Sequence, residues 1–408
     1  MSGNPQIPTG LAFAWRLAVF YSALFVVLGV QLPFLPLWLA AKGLDAGTIG
    51  VVLAIPMVSR VLAIPLATRQ ADRNDALRMA IMTAAAAAAV GYGAVGLAPG
   101  AAAVMAAFAL ASAFSTPIMP LTDAYALRGL GHFRRAYGPV RLWGSLAFIA
   151  GSFGAGVLLD VIPARDLIWL IVAAMAVTAA AACALAPLPP SVASSADPGS
   201  AAKTASSAAP GLLRDPVFLA VAAAASLLQA SHAVYYGFSA LDWRAAGLDG
   251  AAIGALWALG VVAEVALFAI SGRLPVAPTT LLMVGAAGAV IRWSAMALEP
   301  APALLPLLQC LHGLSFGATH LGAIGFIARA APAALGATAQ GYLAVAQGLV
   351  MALAMGISGL LYARWGNLAY GAMALMAAAG GLLAFAAKGA TNYPLTRKSD
   401  TSPPARGR

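Results

Sequence analysis

Eight ionisable residues of this chain lie inside long apolar segments. Six of them stand out by type and depth: Arg60, Asp123, Arg141, Glu264, Arg292 and His312. His232 and His320 are additional candidates. A charge at membrane depth is costly and usually belongs to a pathway or a pair. Guanidinium groups suit carboxylates, and three deep arginines face only two deep acids. The pattern therefore indicates that a substrate anion completes the set, with static ion pairs between helices as the alternative.

The composition places most of the chain in a lipid bilayer. Of its 408 residues 62% are hydrophobic and 9% are charged, whereas a soluble domain has about 25% charged residues. The apolar runs are about 20 residues or longer, which favours spanning helices over a closed barrel. We predict an all-α membrane protein. The net charge of +10 follows the membrane topology and does not indicate a nucleic-acid partner.

The apolar segments divide the chain into two equal sets. Twelve of them are separated by Gly, Pro and charged residues, at roughly 12–41, 48–68, 79–98, 102–127, 137–159, 167–186, 215–240, 250–271, 279–298, 303–328, 336–363 and 367–388. Residues 187–213 are rich in Ala, Ser and Pro and predict a cytoplasmic linker. We therefore predict a six-helix bundle over 1–186, a second over 214–388, and a basic cytoplasmic tail over 389–408.

The basic residues of the loops set the orientation. With both termini inside, sixteen Lys and Arg residues fall on the cytoplasmic side and four outside, namely Lys42, Arg165, Arg244 and Arg364. This asymmetry follows the positive-inside rule. It predicts a multi-pass protein of the cytoplasmic (inner) membrane with both termini in the cytoplasm.

One stretch of the chain recurs 204 residues later. Gly43-Leu44-Asp45 recurs at 247–249, and several apolar positions and an arginine follow in register. In that register Arg60 falls opposite Glu264. Duplicated halves with an ionisable residue at the equivalent midplane position are typical of transporters with two bundles.

The first segment contains Pro33 and Pro36 on either side of Phe34. Proline removes a backbone hydrogen bond from a helix, and interrupted helices line the substrate cavities of many transporters. We expect an interruption here, with Phe34 at the substrate; a kink that serves packing is the alternative.

Signatures of enzymes and pumps are missing from the sequence. It contains no Walker A loop and no HExxH motif. Cys183 and Cys310 lie in apolar segments and are expected to be small buried packing residues, with no metal or disulfide. We predict no enzymatic activity and no cofactor, and a carrier is favoured over a channel because channels usually repeat around a pore.

The helix count, the mid-loop and the duplication resemble the major facilitator superfamily. Its marker after the second helix is Gly-x-x-x-Asp-Arg-x-Gly-Arg, of which residues 68–76 keep Asp72-Arg73 but not the glycines. A closer resemblance, to the phenylpropionate permease family, covers nearly the whole chain. It rests on Pro-Leu-Thr-Asp at 120–123 and on residues 137–145, 232–240 and 260–265.

That family is similar in turn to the lactose permease type of sugar–proton symporter. This resemblance implies that Asp123 and Arg141 hold the substrate and that Arg292 and His312 take part in proton coupling. Phe148 stands where those symporters have a sugar-stacking Trp, which suits an aromatic or less hydroxylated substrate.

The chain also departs from the lactose permease pattern. Gln309 and Ser315 replace a Lys three residues before His312 and a Glu three residues after it. The acid of the eighth helix lies about one turn earlier in those symporters than Glu264 does here. Glu264 is therefore the residue on which proton coupling rests in this chain.

The sequence as a whole predicts a proton-coupled symporter that works by alternating access. An aromatic carboxylate such as a phenylpropionate is the substrate that the resemblance implies. Arg141, oriented by Asp123, would bind it, with Arg60 as a second anchor, and Glu264 would carry the proton. We expect a monomer whose partners are the solute, the proton and the bilayer. Alternatives are a sugar or nucleoside symporter, a drug or metabolite antiporter, a sensor that binds without translocation, and, least favoured, a polytopic enzyme.

Overall fold

The fold is entirely helical in the part of the chain that the computed structural model describes, residues 9–188, 211–273, 276–331 and 335–388. Most of the predicted linker 187–213 and the tail 389–408 lie outside these ranges. Eleven apolar helical stretches are long enough to cross a membrane, and the last, Thr338–Lys388, contains two helices. This architecture is consistent with the twelve predicted spans.

Between residues 9 and 188, the described part of the first half, seven α-helices form six spans. They are α1 (Gly10–Ala41), α2 (Ala46–Arg73), α3 (Leu77–Leu97), α4 (Ala101–Ser115), α5 (Ile118–His132), α6 (Tyr137–Leu159) and α7 (Ile168–Cys183). The break between α4 and α5 falls at Thr116 and Pro117. Proline has no amide hydrogen to continue a helix, so the fourth span changes course there.

In the second half the described residues from Pro216 onwards form eight α-helices, again in six spans. They are α8 (Pro216–Ala230), α9 (Ala233–Ala245), α10 (Gly250–Ser271), α11 (Pro278–Ala297), α12 (Leu305–Cys310), α13 (Thr319–Ala330), α14 (Gly336–Trp365) and α15 (Ala369–Lys388). A π-helix, Gly313–Ala318, joins α12 to α13. Such segments are rare and occur often at functional sites.

The expected interruption of the first helix is wrong. Helix α1 runs without a break through Pro33 and Pro36, and Phe34 is fully buried. Prolines are tolerated in spanning helices whose neighbours pack closely. Gly29 provides that packing, because a Cβ there would lie 2.5 Å from the carbonyl oxygen of Phe148 in α6. The breaks occur instead in the fourth, seventh and tenth spans.

The cysteines also differ from expectation. Cys183 and Cys310 are exposed on the protein surface, not buried. Both lie at the last residue of an apolar helix, where the surface of a spanning helix meets lipid and apolar character does not imply burial in protein.

The duplicated Gly-Leu-Asp motif builds the same turn in both halves. Gly43 and Gly247 have φ angles of 84° and 89°, a left-handed conformation that glycine adopts readily. The aspartate two residues later caps the next helix: Asp45 accepts from the amide of Thr48 at 3.0 Å and Asp249 from that of Ala252 at 2.7 Å. Both α2 and α10 therefore begin at equivalent, firmly capped positions.

The two halves meet at the predicted external end through glycines. A Cβ on Gly156 of α6 would lie 2.1 Å from the carbonyl oxygen of Gly250 in α10. On the opposite side, a Cβ on Gly359 of α14 would lie 2.4 Å from that of Ala46 in α2. Small residues allow such close helix contact in membranes. The same contact thus occurs twice, between α6 and α10 and between α14 and α2.

Asp160, just after α6, binds the start of α10 in the other half. Its carboxylate accepts from the amides of Gly250 at 2.7 Å and Ala251 at 3.1 Å and pairs with Arg244 at 3.1 Å. The amide of Gly250 contributes most to holding the pKa of Asp160 below its ordinary value. Because the pKa is lowered, the contact is fully formed at neutral pH and is lost only as the pH falls below the usual range of aspartate, about 3.9.

We predict that Asp160→Asn shifts the protein towards opening at the predicted external end, by about two- to fivefold in population. The substitution removes the charge that the first turn of α10 stabilises. Spin labels on the loops after α6 and α9, in a cysteine-free background, would measure the distance across this end. Asp166→Asn in the neighbouring loop is the matched control. Equal distance distributions in Asp160→Asn and the control would contradict the prediction.

Candidate functional site

Arg141 lies at the boundary between the two halves, stacked on aromatic rings of α1. Its guanidinium carbon is 4.1 Å from the ring centre of Phe25 and 5.6 Å from that of Tyr21. Gly144, one turn later on α6, makes room for this position: a Cβ there would lie 3.0 Å from Nη1 of Arg141. Among the described residues Arg141 has no ion-pair or hydrogen-bond partner. Its donors are available to an incoming acceptor.

Asp123 binds two tyrosines and not Arg141. Its Oδ1 accepts from the hydroxyl of Tyr21 at 2.6 Å and from that of Tyr137 at 2.9 Å. The sequence interpretation paired Asp123 directly with Arg141. In the structure Tyr21 stands between them, bonded to Asp123 by its hydroxyl and stacked beneath Arg141 by its ring. Asp123 therefore acts on Arg141 through the position of Tyr21.

Glu264 lies on α10, across the boundary from Arg141. The two charges are close enough to attract each other, although they are farther apart than an ion pair. The Oε2 atom of Glu264 is 3.9 Å from Nε2 of His312, and 20% of the Glu264 side chain is exposed. Gly317 of the π-helix packs against Cγ of Glu264. Glu264 thus faces the first half while it rests on the tenth span.

Arg292 is fully buried inside the second half. Its Nη1 donates to Nδ1 of His312 at 3.0 Å and to Oγ of Ser315 at 3.3 Å, and its Nη2 donates to Oε1 of Gln309 at 2.6 Å. The guanidinium carbon lies 4.5 Å from the ring centre of Tyr235. The structure therefore joins Arg292 to His312, as the resemblance implied, through neutral acceptors.

These contacts fix the protonation of His312. Arginine only donates hydrogen bonds, so Nδ1 of His312 must accept and cannot carry a proton. The ring is therefore neutral, with its hydrogen on Nε2, the atom that faces Glu264. A histidinium would place a donor against the Arg292 guanidinium, so these contacts favour the neutral ring.

His232, a candidate from the sequence, is held in one tautomer in the same way. Its Nδ1 faces the carbonyl oxygens of Leu228 and Gln229 at 3.2 and 3.1 Å, so this nitrogen donates. Its Nε2 then accepts from the hydroxyl of Ser315 at 3.2 Å. His232 therefore holds the hydroxyl of Ser315 in position.

The remaining predicted site residues are separated from this group. Phe34 is fully buried and Phe148 is 7% exposed, packed at α1. Arg60 is exposed, with Cδ of its side chain beside Gly348 of α14. It lies at the α2–α14 contact, on the other side from Arg141 and Glu264. His320 is exposed, and its ring stacks on the ring of Phe316.

Sequence reasoning missed the aromatic residues that position the arginines. Tyr21 and Phe25 are spaced four residues apart and share one face of α1, and Tyr137 opens α6. Tyr235 and Trp293 enclose Arg292. Aromatic residues at helical spacing are common in any apolar helix. Only their contacts in the folded structure distinguish these five aromatic residues as part of the site.

Comparisons with known proteins agree with this architecture. The family model described as MFS_1 like family matches residues 14–370. The chain is 35% identical over 364 residues to a probable 3-phenylpropionic acid transporter of Escherichia coli, covering 88% of this chain and 94% of the relative. It is 29% identical over 371 residues to a maltose permease of Geobacillus stearothermophilus, covering 87% and 91%.

Solved structures show the same fold. The nucleoside transporter NupG superimposes with a TM-score of 0.76 at 16% identity, over 93% of this chain and 99% of that one. A D-xylose-proton symporter superimposes with a TM-score of 0.70 at 13% identity, over 92% and 97%. Together with the family match and the identity to the probable 3-phenylpropionic acid transporter, these similarities show that the chain belongs to the MFS_1-like family of major facilitator transporters.

Proposed function

We propose that the protein is a proton-coupled symporter of a small aromatic carboxylate, acting as a monomer in the inner membrane with both termini in the cytoplasm. The observation that carries this proposal is the state of Arg141. Its guanidinium is half-buried on two aromatic rings and has no carboxylate at ion-pair distance among the described residues. It is ready to bind a carboxylate from outside the chain.

The surroundings of Arg141 favour a ligand with both a charge and a ring. Guanidinium binds a carboxylate through two parallel hydrogen bonds, and the stack on Phe25 leaves its edge free. Phe25 and Tyr21 line the same place with aromatic faces, which attract further rings by offset or edge-to-face packing. The name of the relative of 35% identity, a probable 3-phenylpropionic acid transporter, supports the same class of substrate.

The position of Glu264 supports coupling to a proton. When ionised, Glu264 attracts Arg141 across the boundary between the halves and competes with a substrate carboxylate. When protonated, it releases Arg141 to the substrate. Proton and substrate therefore bind together on this proposal, which is the requirement of symport. One proton moving down a potential of about 100 mV provides about 2.3 kcal/mol, enough for roughly 50-fold accumulation.

The contacts between the halves support alternating access. The glycine contacts and Asp160 join the halves at the predicted external end. Two equivalent glycine contacts, α6 with α10 and α14 with α2, could separate together as one half rocks on the other. The substrate would then reach Arg141 from alternate sides.

A sugar or nucleoside is the second candidate substrate. Asp123, Tyr21 and Tyr137 form a cluster of hydroxyl and carboxylate groups that could exchange hydrogen bonds with substrate hydroxyls. The names of a maltose permease relative and of the nucleoside and xylose transporters of the same fold support this class. A screen of ligand-induced thermal stabilisation with aromatic acids, sugars and nucleosides would separate the two classes.

We predict that Glu264→Gln abolishes accumulation driven by a pH gradient but retains counterflow exchange. Glutamine keeps the shape of the side chain and cannot release a proton, so substrate exchange continues without coupling. The measurement is uptake of labelled 3-phenylpropionate into proteoliposomes with and without an imposed gradient.

Glu299→Gln is the matched control for that experiment. Glu299 is the other glutamate of the sequence and lies in the loop after α11, so its variant should accumulate substrate like the wild type. Gradient-driven uptake that survives in Glu264→Gln would sink the coupling role of this residue. Symport itself would be refuted if the pH gradient did not stimulate uptake by the wild type. It would also be refuted if the gradient drove the substrate out of the vesicles.

We predict that Arg141→Lys weakens the binding of a phenylpropionate by about 10- to 100-fold. Lysine keeps the charge but loses the two-pronged geometry and the stack on Phe25; charged hydrogen bonds are worth about 1.5–3 kcal/mol. Isothermal titration of the carboxylate and of its uncharged amide would test this, with Arg165→Lys in an external loop as control. An equal loss for acid and amide would show that Arg141 does not recognise the carboxylate.

A further inference from the structure

Arg292 carries a positive charge that no acid in the described chain balances. The residue is 0% exposed, and every hydrogen-bond acceptor around it is neutral: Nδ1 of His312, Oγ of Ser315 and Oε1 of Gln309. An unpaired charge in a low-dielectric interior is costly. The rings of Tyr235 and Trp293, each with its centre 4.5 Å from the guanidinium carbon, offset part of this cost, since cation–π contacts contribute about 2 kcal/mol when desolvated.

The acids of the second half that lie nearest are engaged elsewhere. Glu264 reaches Nε2 of His312 at 3.9 Å and faces Arg141. Asp242 of α9 accepts from the hydroxyl of Tyr362. Neither carboxylate is placed to neutralise Arg292.

Two buried donors beside the charge have no acceptor. They are Nε of Arg292 and Nε2 of Gln309. The guanidinium is a planar fork in which Nε–H and one Nη2–H share an edge. Gln309 Oε1 accepts from Nη2, whereas Nε–H has no acceptor, and the side-chain amide of Gln309 offers a further donor. Unpaired buried donors are rare in native proteins and call for a partner.

We propose that the two unpaired donors of Arg292 and Gln309 bind one small monovalent anion of the chloride class. A single negative charge matches the charge of Arg292, and the free Nε–H of Arg292 and Nε2–H of Gln309, with no carboxylate beside them, suit an anion. The burial of Arg292 behind Tyr235 and Trp293 excludes an organic carboxylate of substrate size. The bound anion compensates the charge that acts on His312 and, beyond it, on Glu264. This site goes beyond the proposed transport function and does not depend on which solute is carried.

The test is thermal unfolding of the purified full-length protein at constant ionic strength, with sodium chloride replaced stepwise by sodium gluconate. Because a ligand of the folded state stabilises by mass action, we expect the unfolding midpoint to rise with each tenfold increase in chloride once chloride exceeds its dissociation constant. Bromide should replace chloride, and gluconate should not. A midpoint that is the same in chloride and gluconate would overturn the proposal.

Ser315→Glu places a tethered carboxylate next to Nη1 of Arg292, so its unfolding midpoint should no longer depend on chloride. Ser315→Gln is the matched control, since it adds nearly the same volume without a charge and should remain chloride-dependent. If both substitutions abolish the dependence, the effect is steric and the anion site is refuted.

Arg292→Gln keeps the test decisive if the glutamate variant does not fold. It removes the cation and should be insensitive to chloride, whereas Arg60→Gln, at an intramembrane arginine beside Gly348 of α14, should respond like the wild type. Chloride dependence that is lost in Arg60→Gln and kept in Arg292→Gln would assign the anion to the wrong arginine and overturn the proposal. Stabilisation by 3-phenylpropionate in place of chloride, lost in Arg292→Gln, would do the same by showing that the substrate carboxylate is the ligand.

Discussion

The cost of holding charge in a hydrocarbon layer governs the arrangement of this protein. Arg141 and Arg292 are both arginines of spanning helices, and each is stacked on aromatic rings that accept a cation without supplying an anion. The difference between them is access. Arg141 is half-buried at the boundary between the halves, whereas Arg292 is sealed within one half. On the two proposals made above, the same side chain binds a mobile solute in one place and a resident anion in the other.

Polar residues near each arginine act by position. Tyr21 links Asp123 to Arg141: its hydroxyl donates to Asp123, and its ring lies under the guanidinium of Arg141. Arg292 in turn fixes the tautomer of His312, whose Nε2 faces Glu264. On the proposed mechanism, substrate binding and proton binding fall to different halves, and the attraction between Arg141 and Glu264 connects them across the boundary.

Backbone contacts set the geometry in which this connection can change. Glycines bring α6 to α10 and α14 to α2 at backbone distance, and Asp160 of one half binds the first amides of α10 in the other. A closure made of small residues and one charged contact can form and separate with less repacking than one made of large apolar side chains.

The amino-acid sequence by itself determined the class of the protein. The apolar runs, the duplicated Gly-Leu-Asp turn and the motifs around Asp123, Arg141 and Glu264 sufficed to predict a helical transporter of two halves and its family, because composition and helical length are local properties. The predicted break in α1 was wrong because proline shows only where a backbone hydrogen bond is missing. Whether the helix breaks there depends on tertiary packing, here that of Gly29 against α6.

Only the tertiary structure decided which groups meet. Tyr21 and Asp123 are 102 residues apart, and Ser315 lies 83 residues from His232. No local pattern in one sequence links such positions, so the pairing of Asp123 with two tyrosines, the isolation of Arg60 at Gly348 and the neutral surroundings of Arg292 could not be read from it. The sequence placed the charges at membrane depth; the packing of the helices chose the partner of each one, because the free energy of a buried charge depends on the atoms within a few ångströms of it.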